Sequence, residues 1–238
     1  MLRTILWFSY FWLYVIALQP TLLKVTRLDN IGETTEHDRI TAKTARKWAL
    51  SLLKLAGVTV SVTGQEKIAG QSPVLFVSNH QGNFDIPILL GHIDQPKAFI
   101  AKIELLKLPM IRTWMKHMKC VFIDRTNARQ SLKVINQAAD YLKEGYSMVI
   151  FPEGTRSKSR NLGEFKAGSL KLAAKAGVPI VPIAIDGSYK IMEQNGFRIK
   201  PAHVKITVFD PIATVGLSKE ETAKLPEKVR GIIQQALI

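Results

Sequence analysis

At 238 residues, 47% of them hydrophobic, the chain can bury a complete core, and a single domain is the natural expectation. One cysteine, Cys120, excludes an internal disulfide and fits a reducing compartment. The formal charge of +14 requires an anionic partner, whether nucleic acid, an anionic membrane surface or a phosphorylated substrate.

From Thr4 to Leu23 there is no formal charge, and six of the eight residues from Trp7 to Tyr14 are aromatic. Twenty helical residues reach about 30 Å, just enough to cross a bilayer. Ser9, Gln19, Pro20 and Thr21 interrupt the run, and Trp and Tyr prefer the membrane interface to its interior. Shallow insertion, a single span and a cleaved signal peptide are therefore all open. The last has only Arg3 as a basic region and a poor cleavage site at Ala17-Leu18-Gln19. A polar linker is predicted from Asp29 to Arg39, then an amphipathic helix from Thr41 to Val58 that Gly57 ends. Ala45, Trp48, Ala49, Leu52, Leu53 and Ala56 form its apolar stripe, with Lys43, Lys47 and Lys54 opposite. Such a helix either packs on its own domain or lies on a membrane surface beside the first segment. Residues 1–57 thus read as an N-terminal two-helix segment and 58–238 as the domain it precedes.

Beyond residue 58, strands alternate with helices. Val58 to Val62, Pro73 to Val77, Ala98 to Ala101, Val121 to Ile123, Tyr146 to Phe151, Val178 to Ile185 and Val204 to Phe209 are short, apolar and partly β-branched. Helices are predicted over Ile86–Leu90, Lys102–Leu108, Met110–Met118 and Ala128–Lys143, the last with Leu132, Ile135, Ala139 and Leu142 on one face. Phe165–Ala176 and Ser218–Leu237 complete the set, with Ser218 as a cap. This alternation predicts an α/β fold, a mostly parallel mixed sheet flanked by helices.

Two loops carry chemistry. Ser78-Asn79-His80-Gln81-Gly82-Asn83-Phe84-Asp85 joins a strand to a helix. Five residues turn a helix by about 140°, so His80 and Asp85 could not share one helical face. With a turn between them the carboxylate can fold back onto the imidazole, fixing its tautomer and leaving the other nitrogen as a base. A His-x4-Asp pair alone is too short to be specific. The second loop, Phe151-Pro152-Glu153-Gly154-Thr155-Arg156-Ser157, leaves another buried strand. Its backbone N–H groups and hydroxyls can cradle an oxyanion, and Arg156 can pair bidentately with phosphate; a solvated basic turn is the alternative. Lys97 to Lys133 supplies nine basic and two acidic residues. Arg125, at a strand end between the two loops, is the candidate to join Arg156 on a phosphate, and Lys102 is a second. His37 falls in the predicted linker, while His92, His117 and His203 lack a positioned Asp.

Together, Asn79-His80-x4-Asp85 and Phe151-Pro152-Glu153-Gly154-Thr155-Arg156-Ser157 resemble the glycerolipid acyltransferase family, most closely its 1-acyl-glycerol-3-phosphate acyltransferases. Val121-Phe122-Ile123-Asp124-Arg125 and Val181-Pro182-Ile183-Ala184-Ile185 resemble two weaker family blocks in the same order, so the likeness spans about residues 57 to 212. Members often carry Ser where this chain has Gly82, which bears on acceptor preference. The resemblance implies a fold like that of the glycerol-phosphate acyltransferases. It also implies direct transfer of an acyl chain from acyl-CoA or acyl carrier protein to lysophosphatidic acid. No cofactor or metal would be needed.

In that reading His80 and Asp85 are catalytic. Lys102, Arg125, Glu153, Gly154, Thr155 and Arg156 bind substrate, Glu153 chiefly by ordering its loop. Membrane lipids, including lysophosphatidic acid and an anionic bilayer surface, are the implied partners, and nucleic acid is not. The implied location is the cytoplasmic face of a membrane, the bacterial inner membrane, held peripherally or by one N-terminal span. The resemblance also favours the membrane-surface role for the helix at 41–58. Glycerol 3-phosphate and other lysophospholipids are the alternative acceptors, and a non-catalytic lipid-binding protein is the rival class. Gly-x-Ser-x-Gly, His-x3-His and paired cysteines are lacking, which disfavours serine and zinc hydrolases.

Overall fold

The structure, a computed structural model, describes residues 1–237. Helices α1 (Leu2–Ala17), α2 (Gln19–Asn30) and α3 (Thr34–Ala56) precede strand β1 (Val58–Thr63). Then come β2 (Leu75–Ser78), α4 (Asp85–His92), β3 (Ala98–Lys102), α5 (Pro109–His117) and β4 (Val121–Ile123). The chain continues through α6 (Ala128–Lys143), β5 (Met148–Ile150), α7 (Lys171–Ala176), β6 (Ile180–Asp186), β7 (Ala202–Val208) and α8 (Lys219–Gln235). Seven strands form one sheet in the order β1-β7-β6-β2-β5-β3-β4, parallel throughout except for the β6–β7 pair. Every residue of β2 and β5 is buried, as expected for parallel strands covered on both faces. The helices that cover them fall into two contacting groups, α3 with α4 and α6 with α7 and α8. Ser218 caps α8 through a complete capping box with Glu221.

Several elements depart from the sequence reading. The predicted linker from Asp29 to Arg39 is almost wholly helical, because α2 runs to Asn30 and α3 starts at Thr34. Its mixed charge is that of a helix surface, with Glu36 and Arg39 paired one turn apart. Residues 1–57 therefore hold three helices where two were expected, and His37 is a buried residue of α3, not a linker side chain. Lys102–Leu108 forms a 3₁₀ turn over Ile103–Lys107 rather than an α-helix. The helix predicted from Phe165 is only Lys171–Ala176, because Gly168 takes φ +80° and breaks the run before it. On α6 the buried face is Val134, Ala138, Ala139 and Leu142, and Leu132 points to solvent at 63% exposure.

The stripe on α3 packs inward, since Ala45, Ala49, Leu52, Leu53 and Ala56 belong to the main core. The apolar face left exposed is instead that of α1: Leu2, Ile5, Leu6, Phe8, Trp12, Leu13 and Ile16. Trp7 pins the opposite face of α1 to the body. Its indole donates to Leu52 O at 2.9 Å, and its ring lies 5.2 Å from that of Phe84. Among the described residues no single helix is long and apolar enough to cross a membrane. Only the pair α1 and α2, bent by 44° at Leu18, reaches that length and composition together.

Candidate active site

Because β2, β5, β3 and β4 are neighbours and run parallel, their carboxyl ends open along one edge of the sheet. Open α/β sheets bind ligands at that edge. His80 and Asp85 follow β2, Glu153 to Arg156 follow β5, Lys102 ends β3, and Arg125 follows β4. Four loops distant in sequence thus converge.

The turn after β2 folds Asp85 back onto His80 as its spacing suggested. Asp85 Oδ2 lies 2.7 Å from His80 Nδ1 and accepts the N–H groups of Gln81 and Gly82 at 2.7 and 2.9 Å. Its second oxygen, Oδ1, accepts the Ser188 hydroxyl. Four contacts hold a wholly buried carboxylate fixed in place. The imidazole stacks on Phe151 with ring centroids 4.1 Å apart and planes 18° from parallel. With Nδ1 tied to Asp85, Nε2 is the nitrogen left to act, and His80 lines a cavity of about 530 Å³.

The second loop is stitched to the first. Glu153 is buried and accepts the His80 N–H at 2.7 Å and the Gly163 N–H at 2.9 Å. Burial pushes its carboxyl above the usual range, against the pull of these two donors. Ser157 and Lys158 donate their amides to His80 O and Gln81 O at 2.8 and 3.2 Å. Glu153 therefore orders the loop, and both its oxygens are occupied by backbone. The Gly154 amide closes a turn on Phe151 O at 3.1 Å, so it offers no donor to an oxyanion. Neither Glu153 nor Gly154 lines this cavity.

Lys102, Arg125, Thr155 and Arg156 do line it, together with Lys158. Among the described residues Glu104 is the one carboxylate on its wall, so the polar mouth is strongly cationic. The rest of the wall is apolar, with Trp48, Ile100, Leu105, Trp114, Met115 and Met118, and it reaches Val15 of α1 and Leu18. Cys120 also lines it, but burial pushes its thiol up to about 12, so it stays protonated and is no nucleophile.

Four further residues complete the site. Ser188 and Gln81 join the Asp85 network, with Gln81 Oε1 accepting the Gly187 N–H at 2.9 Å. Asn79 clamps the backbone of Ile185 through both its amide atoms, each at 2.8 Å. Glu193 is the fourth. Its Oε1 accepts the Asn83 N–H at 2.8 Å and pairs with Arg156 Nη1 at 3.3 Å. A Cβ on Gly82 would stand 2.4 Å from its other oxygen, so glycine leaves the space that this carboxylate fills. Of these, only Asn79 carries a sequence signal, by its place beside His80.

The chain is similar to known proteins over most of its length. The acyltransferase family profile matches residues 59–186, which include both loops. A probable 1-acyl-sn-glycerol-3-phosphate acyltransferase of Mycoplasma pneumoniae is 37% identical over 197 residues, covering 81% of this chain and 73% of its own. The 1-acyl-sn-glycerol-3-phosphate acyltransferase of Borreliella burgdorferi is 31% identical over 185 residues, covering 78% and 74%. The crystal structure of the 1-acyl-sn-glycerophosphate acyltransferase PlsC from Thermotoga maritima superposes with a TM-score of 0.85 at 27% identity, over 99% of this chain and 93% of that one. With most of its sheet inside the matched region and both loops in place, the chain belongs to the acyltransferase family.

Proposed function

We propose that the protein moves a fatty acyl chain from acyl-CoA or acyl carrier protein to the free hydroxyl of 1-acyl-glycerol 3-phosphate, giving phosphatidic acid. One observation carries this reading. An Asp-bound histidine and two guanidinium groups, Arg125 and Arg156, line the mouth of one cavity whose remaining wall is apolar. A phosphomonoester bearing an alcohol and a hydrocarbon chain matches that order of surfaces.

In the reaction, Nε2 of His80 takes the proton of the acceptor hydroxyl while Asp85 holds the ring by Nδ1. The alkoxide oxygen attacks the thioester carbonyl, the C–S bond breaks, and the sulfur leaves with the proton that the imidazolium returns. Base catalysis of this kind contributes about 10²–10⁴-fold, and holding both substrates in line supplies effective concentration besides. Arg156 and Arg125 hold the phosphate, Thr155 donates to it, and Lys102 faces the developing charge. No acyl-enzyme is required, and the protonated Cys120 gives none. No metal or cofactor enters the chemistry, so a chelator is expected to leave turnover intact.

The acceptor lives in a membrane. We place the protein on the cytoplasmic face of a bilayer, with the exposed apolar face of α1 lying in the interface beneath the anionic headgroups. A bend of 44° after α1 suits shallow insertion better than a straight span. Purified protein should be incubated with lysophosphatidic acid and a mixture of acyl thioesters, with free thiol and product lipids followed by mass spectrometry. Phosphatidic acid is the expected product. Lipid binding without thiol release would leave a non-catalytic carrier, and acylation of glycerol 3-phosphate alone would reassign the acceptor.

A further inference from the structure

The junction of α2, α3 and α5 holds a cluster that acyl transfer does not use. His37, in α3, is buried. Its Nδ1 lies 2.7 Å from Asp38 Oδ1 and its Nε2 lies 3.0 Å from Nδ1 of His117, at the end of α5. His117 turns its other nitrogen to Thr26 Oγ1 at 3.2 Å, and Asp29 Oδ2, from the end of α2, lies 3.9 Å from His117 Nδ1. One ligand atom from each of Asp29, His37 and His117 lies within 4.8 Å of the other two.

We propose that Asp29, His37 and His117 form a structural site for a divalent transition-metal ion of the zinc class. Three features favour it. The donor set, two imidazoles and one carboxylate, is one that zinc prefers. Bonds of about 2.0–2.1 Å in tetrahedral geometry put ligand atoms roughly 3.3 Å apart, and the distances of 3.0 and 3.9 Å bracket that value. The outer nitrogen of each ring is already held, by a carboxylate on His37 and by a hydroxyl on His117. Metal-bound histidines need such outer partners to fix ring orientation and tautomer. Asp29 and Asp38 place two carboxylates beside the two rings, the charge that a dication calls for.

Without an ion, the two facing ring nitrogens lie at hydrogen-bond distance, 3.0 Å apart. With it, both lone pairs turn to the metal, and the half-exposed Asp29 leaves room for water as a fourth ligand. The ion would staple α2, α3 and α5 together. Trp114 and Met115 on α5 line the apolar part of the cavity, so the staple would stiffen that wall without reaching His80.

The test uses the full, untagged chain, stripped with chelator and dialysed against Co²⁺ or Zn²⁺. Elemental analysis should find one ion per chain, and Co²⁺ should give the visible bands of a tetrahedral site. Asp29→Asn, at an exposed position that folding tolerates, should weaken binding about tenfold. Asp38→Asn should weaken it about 10–100-fold, as loss of an outer partner does. His117→Gln should abolish stoichiometric binding. Zn²⁺ should raise the melting temperature of wild type and leave that of His117→Gln unchanged. A wild type that retains no ion, or binding unaffected in both Asp29→Asn and His117→Gln, would overturn the site. Loss of acyl transfer on chelation, restored by the ion, would overturn its purely structural role.

Discussion

Two histidines in this fold carry a carboxylate on Nδ1 at the same 2.7 Å, His80 on Asp85 and His37 on Asp38, yet they sit in opposite situations. His37 is buried and its far nitrogen meets a second imidazole, whereas His80 keeps 17% of its side chain exposed on the wall of a cavity. The acids differ as well. Asp85 is wholly buried under four contacts, and Asp38 is 35% exposed. An Asp–His pair is thus no signature of a base by itself. It becomes one where the carboxylate is immobilised and the outer nitrogen opens onto substrate.

The sharpest break of this comparison is to remove each ring in turn. His80→Ala should lower kcat by about 10²–10⁴-fold, the contribution of a lost general base, with the fold intact. Asp85→Asn should fall in the same range, because an amide offers the ring the wrong partner or the wrong tautomer. It should also destabilise the loop by about 1–3 kcal/mol, since one oxygen now accepts the Gln81 and Gly82 amides and an amide nitrogen in its place would leave them unpaired. His37→Ala should do the reverse, lowering the melting temperature while leaving kcat within a few-fold. Steady-state kinetics beside thermal melts separate the two; equal losses of kcat at both positions would erase the distinction.

A smaller effect tests the cationic mouth. Arg156→Ala should raise the Michaelis constant for the phosphate-bearing acceptor by about tenfold to a hundredfold, the worth of a charge-assisted hydrogen bond, with kcat little changed. Arg156→Lys should recover only part of this, because a point charge cannot make the paired contact. An acceptor lacking the phosphate should feel neither change, and if it does, Arg156 serves the loop and not the ligand.

The sequence made His80, Asp85 and the loop after β5 legible because both motifs are local. Each lies within eight residues of a strand end, where an apolar run stops and polar residues begin. Sheet class was legible for the same reason, since short β-branched runs alternate with helical periods. What was hidden arrives from afar or without a period. Ser188 and Glu193 come from 3₁₀ turns about a hundred residues past His80, and such turns have no hydrophobic repeat to announce them. His37 and His117 are 80 residues apart, and the charged turns around His37 imitate a linker. The stripe on α3 was visible, but a stripe cannot say which surface covers it. Packing against α4 was decided by tertiary structure.

The smallest effect concerns Gly82. A methyl on Gly82 would stand 2.4 Å from Glu193 Oε2 and 2.8 Å from its Cδ, so the carboxylate must move. Glu193 holds the Asn83 amide and Arg156, and burial pushes its own carboxyl above the usual range, so it has little spare room or solvation. Gly82→Ala should therefore raise the acceptor Michaelis constant a few-fold, by displacing Arg156 through Glu193 and leaving His80 untouched. Glu193→Ala alone removes one of the two acceptors of Arg156 Nη1, leaving Asn83 Oδ1, and empties the space. If the contact is real, Gly82→Ala should cost almost nothing in that background, and the double-mutant cycle should give a coupling of about 0.5–3 kcal/mol. Additive losses would mean that the methyl acts on the backbone of the His80 loop instead. The unaltered kcat of Gly82→Ala would then fail as well, because that loop carries both amides bound to Asp85.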